Sequence, residues 1–83
     1  MNSKKLLARL ASGNLQNVRF ADFQKLLVDF GFRLSRVSGS HHIYTHHGIN
    51  DIVNVQNVKG QAKPYQIRQT LKIIEAHNLP MEK

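Results

Sequence analysis

The chain changes from helical to extended patterning at residues 32–46, whose sequence is FRLSRVSGSHHIYTH. Apolar and polar residues alternate from Phe32 onward, so Leu34 is expected on the face of Phe32 and Arg36 on the other face. Turn-forming residues occupy positions 38–40, and the residues that follow include β-branched and aromatic side chains that favour strands. The segment therefore predicts two antiparallel strands joined by a tight turn.

Helical periodicity precedes this segment. The strongest pattern in the chain is an apolar stripe at helical spacing, formed by Phe20, Phe23, Leu26, Leu27 and Phe30. Gly31 can adopt the left-handed conformation that ends a helix, and Phe32 can then pack back on Leu27. Asn17 is a candidate N-cap. We expect this helix to bury its stripe in the core.

Two further helices are predicted near the ends of the chain. Ser3 is a candidate cap for a helix that extends to about residue 11. Pro64 suits the first turn of another helix, which ends near Asn78. The apolar stripe of that last helix consists of Ile67, Leu71 and Ile74, widened by Ile73. Both helices are therefore expected to contribute one face to the core.

A third strand completes the predicted sheet. Residues 52–55 are rich in β-branched side chains, and the strand is expected to continue to Val58. The order α-α-β-β-β-α indicates one α+β domain over residues 1–83, with a three-stranded antiparallel sheet and an additional N-terminal helix within residues 1–14. Because three strands cannot close a barrel, we expect the helices to cover one face and to leave the other open to a ligand.

The composition limits the classes of function. The 83 residues include 12 Lys and Arg against 5 Asp and Glu, for a formal net charge of +7, which is typical of a protein that binds a polyanion. An acidic partner protein is the alternative explanation of this charge. Cysteine is absent, which excludes disulfides and thiolate chemistry. No apolar run approaches the roughly 18 residues of a membrane span, and Arg9 interrupts any leader-like stretch, so we expect a cytoplasmic protein and no membrane partner.

Four of the five histidines lie close together, at His41, His42, His46 and His47. One interpretation is a metal site, because His42 and His46 would share a strand face and imidazole suits zinc. Against it, Asp51 is the one nearby carboxylate, and the histidine pairs straddle both faces of the strand. A second interpretation is that these are ordinary polar residues on a solvated hairpin. The third is acid–base chemistry.

The case for chemistry rests on the position of His41. It starts a strand directly after Gly39-Ser40, a turn whose backbone amides can approach a phosphate because glycine has no side chain to block them. Histidine can accept or donate a proton at neutral pH. RNA supplies its own nucleophile, the 2′-hydroxyl, so cleavage needs a base and cationic donors but no metal or other cofactor. The candidate phosphate-binding residues are Arg36, Lys59 and Lys63, together with the turn.

The pattern GFxxxRxxGSHHIY, from Gly31 to Tyr44, resembles the core of HicA-type toxins, the small messenger-RNA interferases of bacterial and archaeal toxin–antitoxin pairs. The likeness continues through the strand at residues 52–55 into Lys63-Pro64 and covers roughly residues 20–79, most of the chain, so the HicA-like core is expected at residues 18–79. It implies a double-stranded-RNA-binding-like fold, ribosome-independent cleavage of messenger RNA by a strand histidine, and neutralisation by a HicB-type antitoxin that covers the active site. Many members have Pro and His after the third strand, where this chain has Gln56-Asn57-Val58.

The resemblance assigns the catalytic role to His41, with Gly39-Ser40 forming its turn. Strand parity leaves His42 as the alternative, because successive residues of a strand face opposite sides. If Tyr44 is buried under the helices, His42 points inward with it and His41 faces the RNA. If Ile43 is buried instead, the two histidines exchange places. Burial of Tyr44 is the favoured interpretation, because a large aromatic gains more from leaving water.

Three functions are compatible with these observations. The first is a metal-independent endoribonuclease toxin, a hydrolase that acts on messenger RNA. The second is a non-catalytic double-stranded-RNA-binding module, which needs basic residues but no histidine. The third is a protein-interaction module whose positive charge serves only an acidic partner. Intact RNA after incubation with the protein and EDTA would distinguish the second and third from the first.

Overall fold

The structure, a computed structural model, describes residues 1–82. Within them the chain forms three helices and four strands. In chain order these are α1 (Ser3–Ala11), α2 (Phe20–Asp29), β1 (Phe32–Ser38), β2 (His41–His46), β3 (Val53–Val58), β4 (Gln61–Ala62) and α3 (Pro64–Ala76). The α+β class and the order of the predicted elements are confirmed, and β4 is an addition to them.

The sheet has four strands where three were predicted. Its order is β1-β2-β3-β4, with antiparallel pairing between each pair of neighbours. The chain reverses between β3 and β4 at Lys59 and Gly60, which both have positive φ, +52° and +83°. Two residues are too few to show the alternation that identifies a strand in a sequence, and this is why β4 was missed.

The segment before α2 covers the outer edge of β4. The backbone N–H of Phe20 donates to the carbonyl of Gly60 at 2.8 Å, and the N–H of Ala62 donates to the carbonyl of Val18 at 2.9 Å. Backbone contacts with an element distant in sequence therefore stabilise this short strand. The opposite edge of the sheet, β1, has no neighbouring strand on its outer side within residues 1–82.

Both predicted N-caps are wrong. Asn2, not Ser3, caps α1, and its side-chain oxygen accepts the N–H of Lys5 at 2.8 Å. Ser3 is buried, and its hydroxyl donates to the Asp29 carboxylate of α2 instead. At α2 the N-cap is Arg19, without a side-chain capping bond. The Gly60 and Val18 contacts described above already fix the entry to this helix, so it begins without help from a polar cap.

The predicted C-terminus of α2 is confirmed. Gly31 has φ +91°, the left-handed conformation expected there, and its N–H donates to the carbonyl of Val28 at 2.9 Å. The chain can therefore turn directly from α2 into β1. Phe32, the first residue of β1, is buried together with the whole apolar stripe of α2.

One hydrophobic core unites the helices with one face of the sheet. Its buried members are Leu6, Leu10, Leu15, Val18, Phe20, Phe23, Leu26, Leu27, Phe30, Phe32, Tyr44, Val53, Val55, Ala62, Ile67 and Ile74. Leu6 and Leu10 place α1 in the same core as the rest of the chain. In α3, Leu71 and Ile73 are only partly buried, whereas the polar Gln66 and Thr70 are fully buried. The predicted stripe of α3 is thus shifted toward two polar residues that an apolar pattern could not reveal.

Candidate active site and nucleic-acid interface

Tyr44 is buried on the helix side of the sheet, as the favoured interpretation of the sequence predicted, and the alternate residues of β2 point to the same side. The Tyr44 side chain is 2 % exposed, and burial raises the pKa of its hydroxyl, although the hydrogen bond from Gln24 Nε2 acts in the opposite direction. His46 is also buried, at 7 % exposure. The ring of His42 meets the ring of Phe20 edge-on, with centroids 4.7 Å apart. His42 therefore lies on the helix side of the sheet.

His41 lies on the opposite, open face. Its strand partners are Ser38 in β1 and Gln56 in β3. Its ring Nδ1 is 3.1 Å from the side-chain oxygen Oδ1 of Asn54. Because an amide oxygen only accepts hydrogen bonds, a neutral ring in this contact carries its proton on Nδ1 and has its lone pair on Nε2.

Asn54 was not identified from the sequence. Asn54 pairs with Ile43 of β2, which points to the same face as His41, so Asn54 also lies on the open face. The register of β2 and β3 brings the two side chains together, and a single sequence contains no signal for that register. A histidine ring oriented by an amide side chain recurs in histidine catalysis.

His42 has a different environment. Its strand partner in β3 is Val55, a buried core residue. Its Nδ1 lies 3.2 Å from the carbonyl oxygen of Ser40, so a neutral ring in this contact carries its proton on Nδ1. The side chain is half-buried, on the side of the sheet that faces Phe20.

The turn between β1 and β2 is a true glycine turn. Gly39 has φ +60°, and the space where a Cβ would lie is empty. Glycine is thus favoured by the left-handed backbone, and the expectation that the turn closely approaches a phosphate stays a prediction. The carbonyl of Ser40 accepts the N–H of Asn57 at 3.0 Å. This bond ties the turn, and with it His41, to β3.

Two arginines lie on the open face with His41. Arg33 pairs with Thr45 and Arg36 pairs with Ile43, whose positions in β2 are of the same parity as His41. Strict alternation would separate Arg33 from Arg36, but a bulge between Leu34 and Arg36 restores them to one face. The prediction that Arg36 lies on the other face of the sheet from Phe32 is confirmed. Arg33 is a further basic residue on the open face, and the sequence analysis did not identify it.

The two predicted lysines lie in different places. Lys59 is in the β3–β4 turn, which is at the same end of the antiparallel sheet as Gly39-Ser40. Lys63 is the N-cap residue of α3 and belongs to no strand. The structure therefore gathers Lys59 with the turn, His41 and His42 at one end of the sheet. The expectation that Lys59 and Lys63 bind phosphate stays a prediction.

A separate cluster, His46, His47 and Glu82, brings three potential metal ligands within 4.8 Å of one another. The two ring nitrogens of His46 are already engaged. Nε2 donates to the carbonyl of Phe30 at 3.0 Å, and Nδ1 accepts the N–H of Gly48 at 2.9 Å. A histidine bonded in this way has no lone pair left for a metal. The cluster holds the C-terminal segment against the sheet, and the zinc interpretation of His42 with His46 gains no support from it.

Comparison with known protein families shows the family of the chain. A family model described as the HicA toxin of bacterial toxin-antitoxin systems matches residues 20–76, well over half of the chain. The matched region includes α2, the whole sheet and α3, and it excludes α1. Neither the curated proteins nor the solved structures contain a match to the chain. Within residues 1–82, every helix is too short or too polar to cross a membrane.

Proposed function

The chain belongs to the HicA family of bacterial toxins, and from this premise we propose that it is an endoribonuclease that cleaves messenger RNA in the cytoplasm. The observation that supports this best is the pair of His41 and Asn54, with 3.1 Å between Nδ1 and Oδ1. It leaves a basic Nε2 on an open face that also presents Arg33 and Arg36. The arrangement combines a proton acceptor with phosphate-binding groups.

In the proposed reaction, Nε2 of His41 takes the proton of a ribose 2′-hydroxyl. The 2′-oxygen attacks the adjacent phosphorus, the bond to the 5′-oxygen breaks, and that oxygen leaves as an alcohol after taking a proton from water. The hydroxide that remains takes the proton from the His41 imidazolium, which restores the neutral ring. The products are a cyclic 2′,3′-phosphate and a 5′-hydroxyl. Asn54 accepts the Nδ1–H throughout and stabilises the imidazolium. Arg36 and the Gly39-Ser40 turn hold the phosphate, and no metal is needed, because the RNA supplies the nucleophile.

His42 is the alternative base in the same proposal. Its Nε2 is also unprotonated in the neutral ring, and its Nδ1 is held by the carbonyl of Ser40. Its ring packs on Phe20, however, so RNA would have to reach it around the end of the sheet. We favour His41 because it shares a face with the two arginines.

A second candidate function is a non-catalytic RNA-binding module. The open face favours it in one respect, since Arg33 and Arg36 suffice to bind a phosphate backbone without any histidine. Both functions predict that RNA affinity falls as salt is raised. They differ only in whether the RNA remains intact.

The decisive experiment incubates the purified protein with messenger RNA in EDTA and compares the wild type with His41→Ala and His42→Ala. We expect fragments from the wild type and from His42→Ala, and a loss of about 100-fold or more in rate for His41→Ala. Circular dichroism and RNA affinity check that each variant folds and binds. Intact RNA with the wild type at high protein excess would favour the binding module, and equal cleavage by His41→Ala would remove His41 from the reaction.

A toxin of this family implies a cognate antitoxin, and we propose a HicB-type protein that covers the open face. Such a partner must be displaced or degraded before RNA can enter. In the assay above, addition of the antitoxin before the RNA should protect the RNA from cleavage. Protection that persists after the antitoxin is removed by denaturation and refolding of the toxin would contradict the proposal.

A further inference from the structure

The two edges of the sheet differ in whether another segment pairs with them. The segment before α2 covers the β4 edge. Arg19 forms a β-bridge with Gln61, and the two backbone hydrogen bonds described above flank it. The β1 edge is seven residues long, has no neighbouring strand on its outer side within residues 1–82, and is exposed at every residue after Phe32. An uncovered strand of this length offers a row of backbone donors and acceptors to another chain.

The helix-side margin of this edge is apolar. Leu34 pairs with the buried Tyr44, and Val37 pairs with His42, so both point to the helix side of the sheet. Leu34 nevertheless remains 49 % exposed and Val37 remains 52 % exposed. The core does not extend far enough to cover them. Charge and bulges protect sheet edges, and β1 has both, at Arg33, Arg36 and the bulge. Exposed Leu34 and Val37 at the same margin do not serve that purpose.

The open-face margin of the same strand is basic. Arg33 and Arg36 alternate with Leu34 and Val37 along β1, with the bulge correcting the register. A strand added to this edge would meet apolar side chains on one of its faces and guanidinium groups on the other. The complementary sequence alternates acidic and apolar residues. A second copy of this chain does not fit, since each copy carries a net charge of +7 and would bring its own arginines to the pair.

We propose that β1 binds an extended strand of an acidic partner protein, with apolar residues against Leu34 and Val37 and carboxylates against Arg33 and Arg36. The identification of this partner as the antitoxin rests on the proposed function. The strand would add to the sheet by backbone pairing and would draw its specificity from alternate side chains. Its carboxylates would occupy Arg36, the arginine assigned to the RNA phosphate, so the bound strand would exclude RNA from the site.

The test uses two synthetic peptides of identical composition and charge. One alternates the residues as Glu-Val-Glu-Val-Glu-Val-Glu, and the other has all glutamates before all valines. Binding is measured by fluorescence anisotropy, and NMR amide exchange reports which backbone groups become protected. We expect the alternating peptide to bind and to slow exchange within β1. The block peptide should bind more weakly and leave β1 exchange unchanged.

Two variants of the full chain test the apolar margin. Leu34→Lys and Val37→Lys alter exposed positions and should fold normally, and each should weaken the alternating peptide about tenfold by removing an apolar contact. Tyr65→Lys is the matched control. Tyr65 is similarly exposed, but it lies in α3, which packs on β3. The Tyr65→Lys variant should bind the alternating peptide with the affinity of the wild type.

Several results would overturn the proposal. They are equal binding of the two peptides, protection outside β1, no protection at all, and concentration-dependent protection of β1 in the free protein, which would indicate a second copy. Protection of β1 by an RNA duplex and not by peptide would assign the edge to RNA. RNA cleavage is measured separately on the same variants. If the wild type binds the alternating peptide but leaves RNA intact, the proposed function is refuted and the proposed peptide-binding site on β1 is retained.

Discussion

Gln66 of α3 makes two hydrogen bonds to Gln56 of β3. Its Oε1 accepts the backbone N–H of Gln56 at 2.7 Å, and its Nε2 donates to the side-chain Oε1 of Gln56 at 2.9 Å. Gln56 is the strand partner of His41. The buried amide of α3 therefore fixes the strand against which the candidate catalytic histidine lies.

Substitution Gln66→Leu should destabilise the fold. The leucine fills a similar volume but leaves the N–H of Gln56 without its acceptor, which costs roughly 1–3 kcal/mol of unfolding free energy. Urea unfolding followed by circular dichroism measures the difference. Gln69→Leu is the control on the same helix, because Gln69 is exposed and should change stability little. Equal stability of Gln66→Leu and wild type would show that the two hydrogen bonds of Gln66 contribute nothing to the stability of the fold.

Asn54→Ala should slow RNA cleavage without weakening RNA binding. Loss of the amide oxygen frees the ring of His41 to rotate and to exchange its proton between nitrogens, and one hydrogen bond corresponds to about a tenfold change in rate. Single-turnover cleavage at saturating protein measures the rate, and anisotropy measures affinity. Asn54 is exposed, so its removal should leave the fold intact.

Rate and affinity together separate positioning from structure in this variant. A structural defect would lower RNA affinity or change the circular dichroism spectrum, whereas loss of the ring's orientation should lower the cleavage rate alone. Asn50→Ala, which removes an exposed amide in the β2–β3 loop, should change neither the rate nor the affinity. A wild-type rate in Asn54→Ala would remove Asn54 from the site.

The sequence was sufficient wherever one residue determines the local structure. Gly31 ends α2, Pro64 starts α3, and Tyr44 sets the parity of β2 because its ring must leave water. These features depend on near neighbours in the chain. The period of a helix or strand is also local, so the order of the long elements was predictable.

The sequence was insufficient wherever distant residues meet. Asn54 reaches His41 through the register of two strands, and β4 forms because residues 18–20 cover it. Arg33 shares a face with Arg36 only because of the bulge. Ser3 failed as a cap for the same reason, since Asp29 in another helix binds its hydroxyl and Asn2 takes its place.

Ser3→Ala should loosen α1 from the rest of the protein. The change leaves the buried Asp29 carboxylate with one donor fewer, although Lys25 still contacts it at 3.0 Å. We expect a loss of roughly 1–3 kcal/mol in unfolding free energy and faster amide exchange within α1. Ser12→Ala is the matched control, because its hydroxyl bonds only locally, to the carbonyl of Arg9. Unchanged exchange in α1 would show that Leu6 and Leu10 alone hold the helix.

The Tyr44 hydroxyl should make the fold sensitive to alkali. Burial raises the pKa of Tyr44 above its ordinary value of 10.0, so above that pH the folded chain retains a proton that the unfolded chain has lost. The stabilisation by the neutral hydroxyl is therefore complete below pH 10 and is lost as pH rises further. Urea unfolding at several pH values should show a steeper decline for wild type than for Tyr44→Phe, which keeps the ring and removes the titrating group. Titration of tyrosine absorbance should show a late phase in wild type that Tyr44→Phe lacks. Parallel stability curves for the two proteins would contradict a raised pKa at this position.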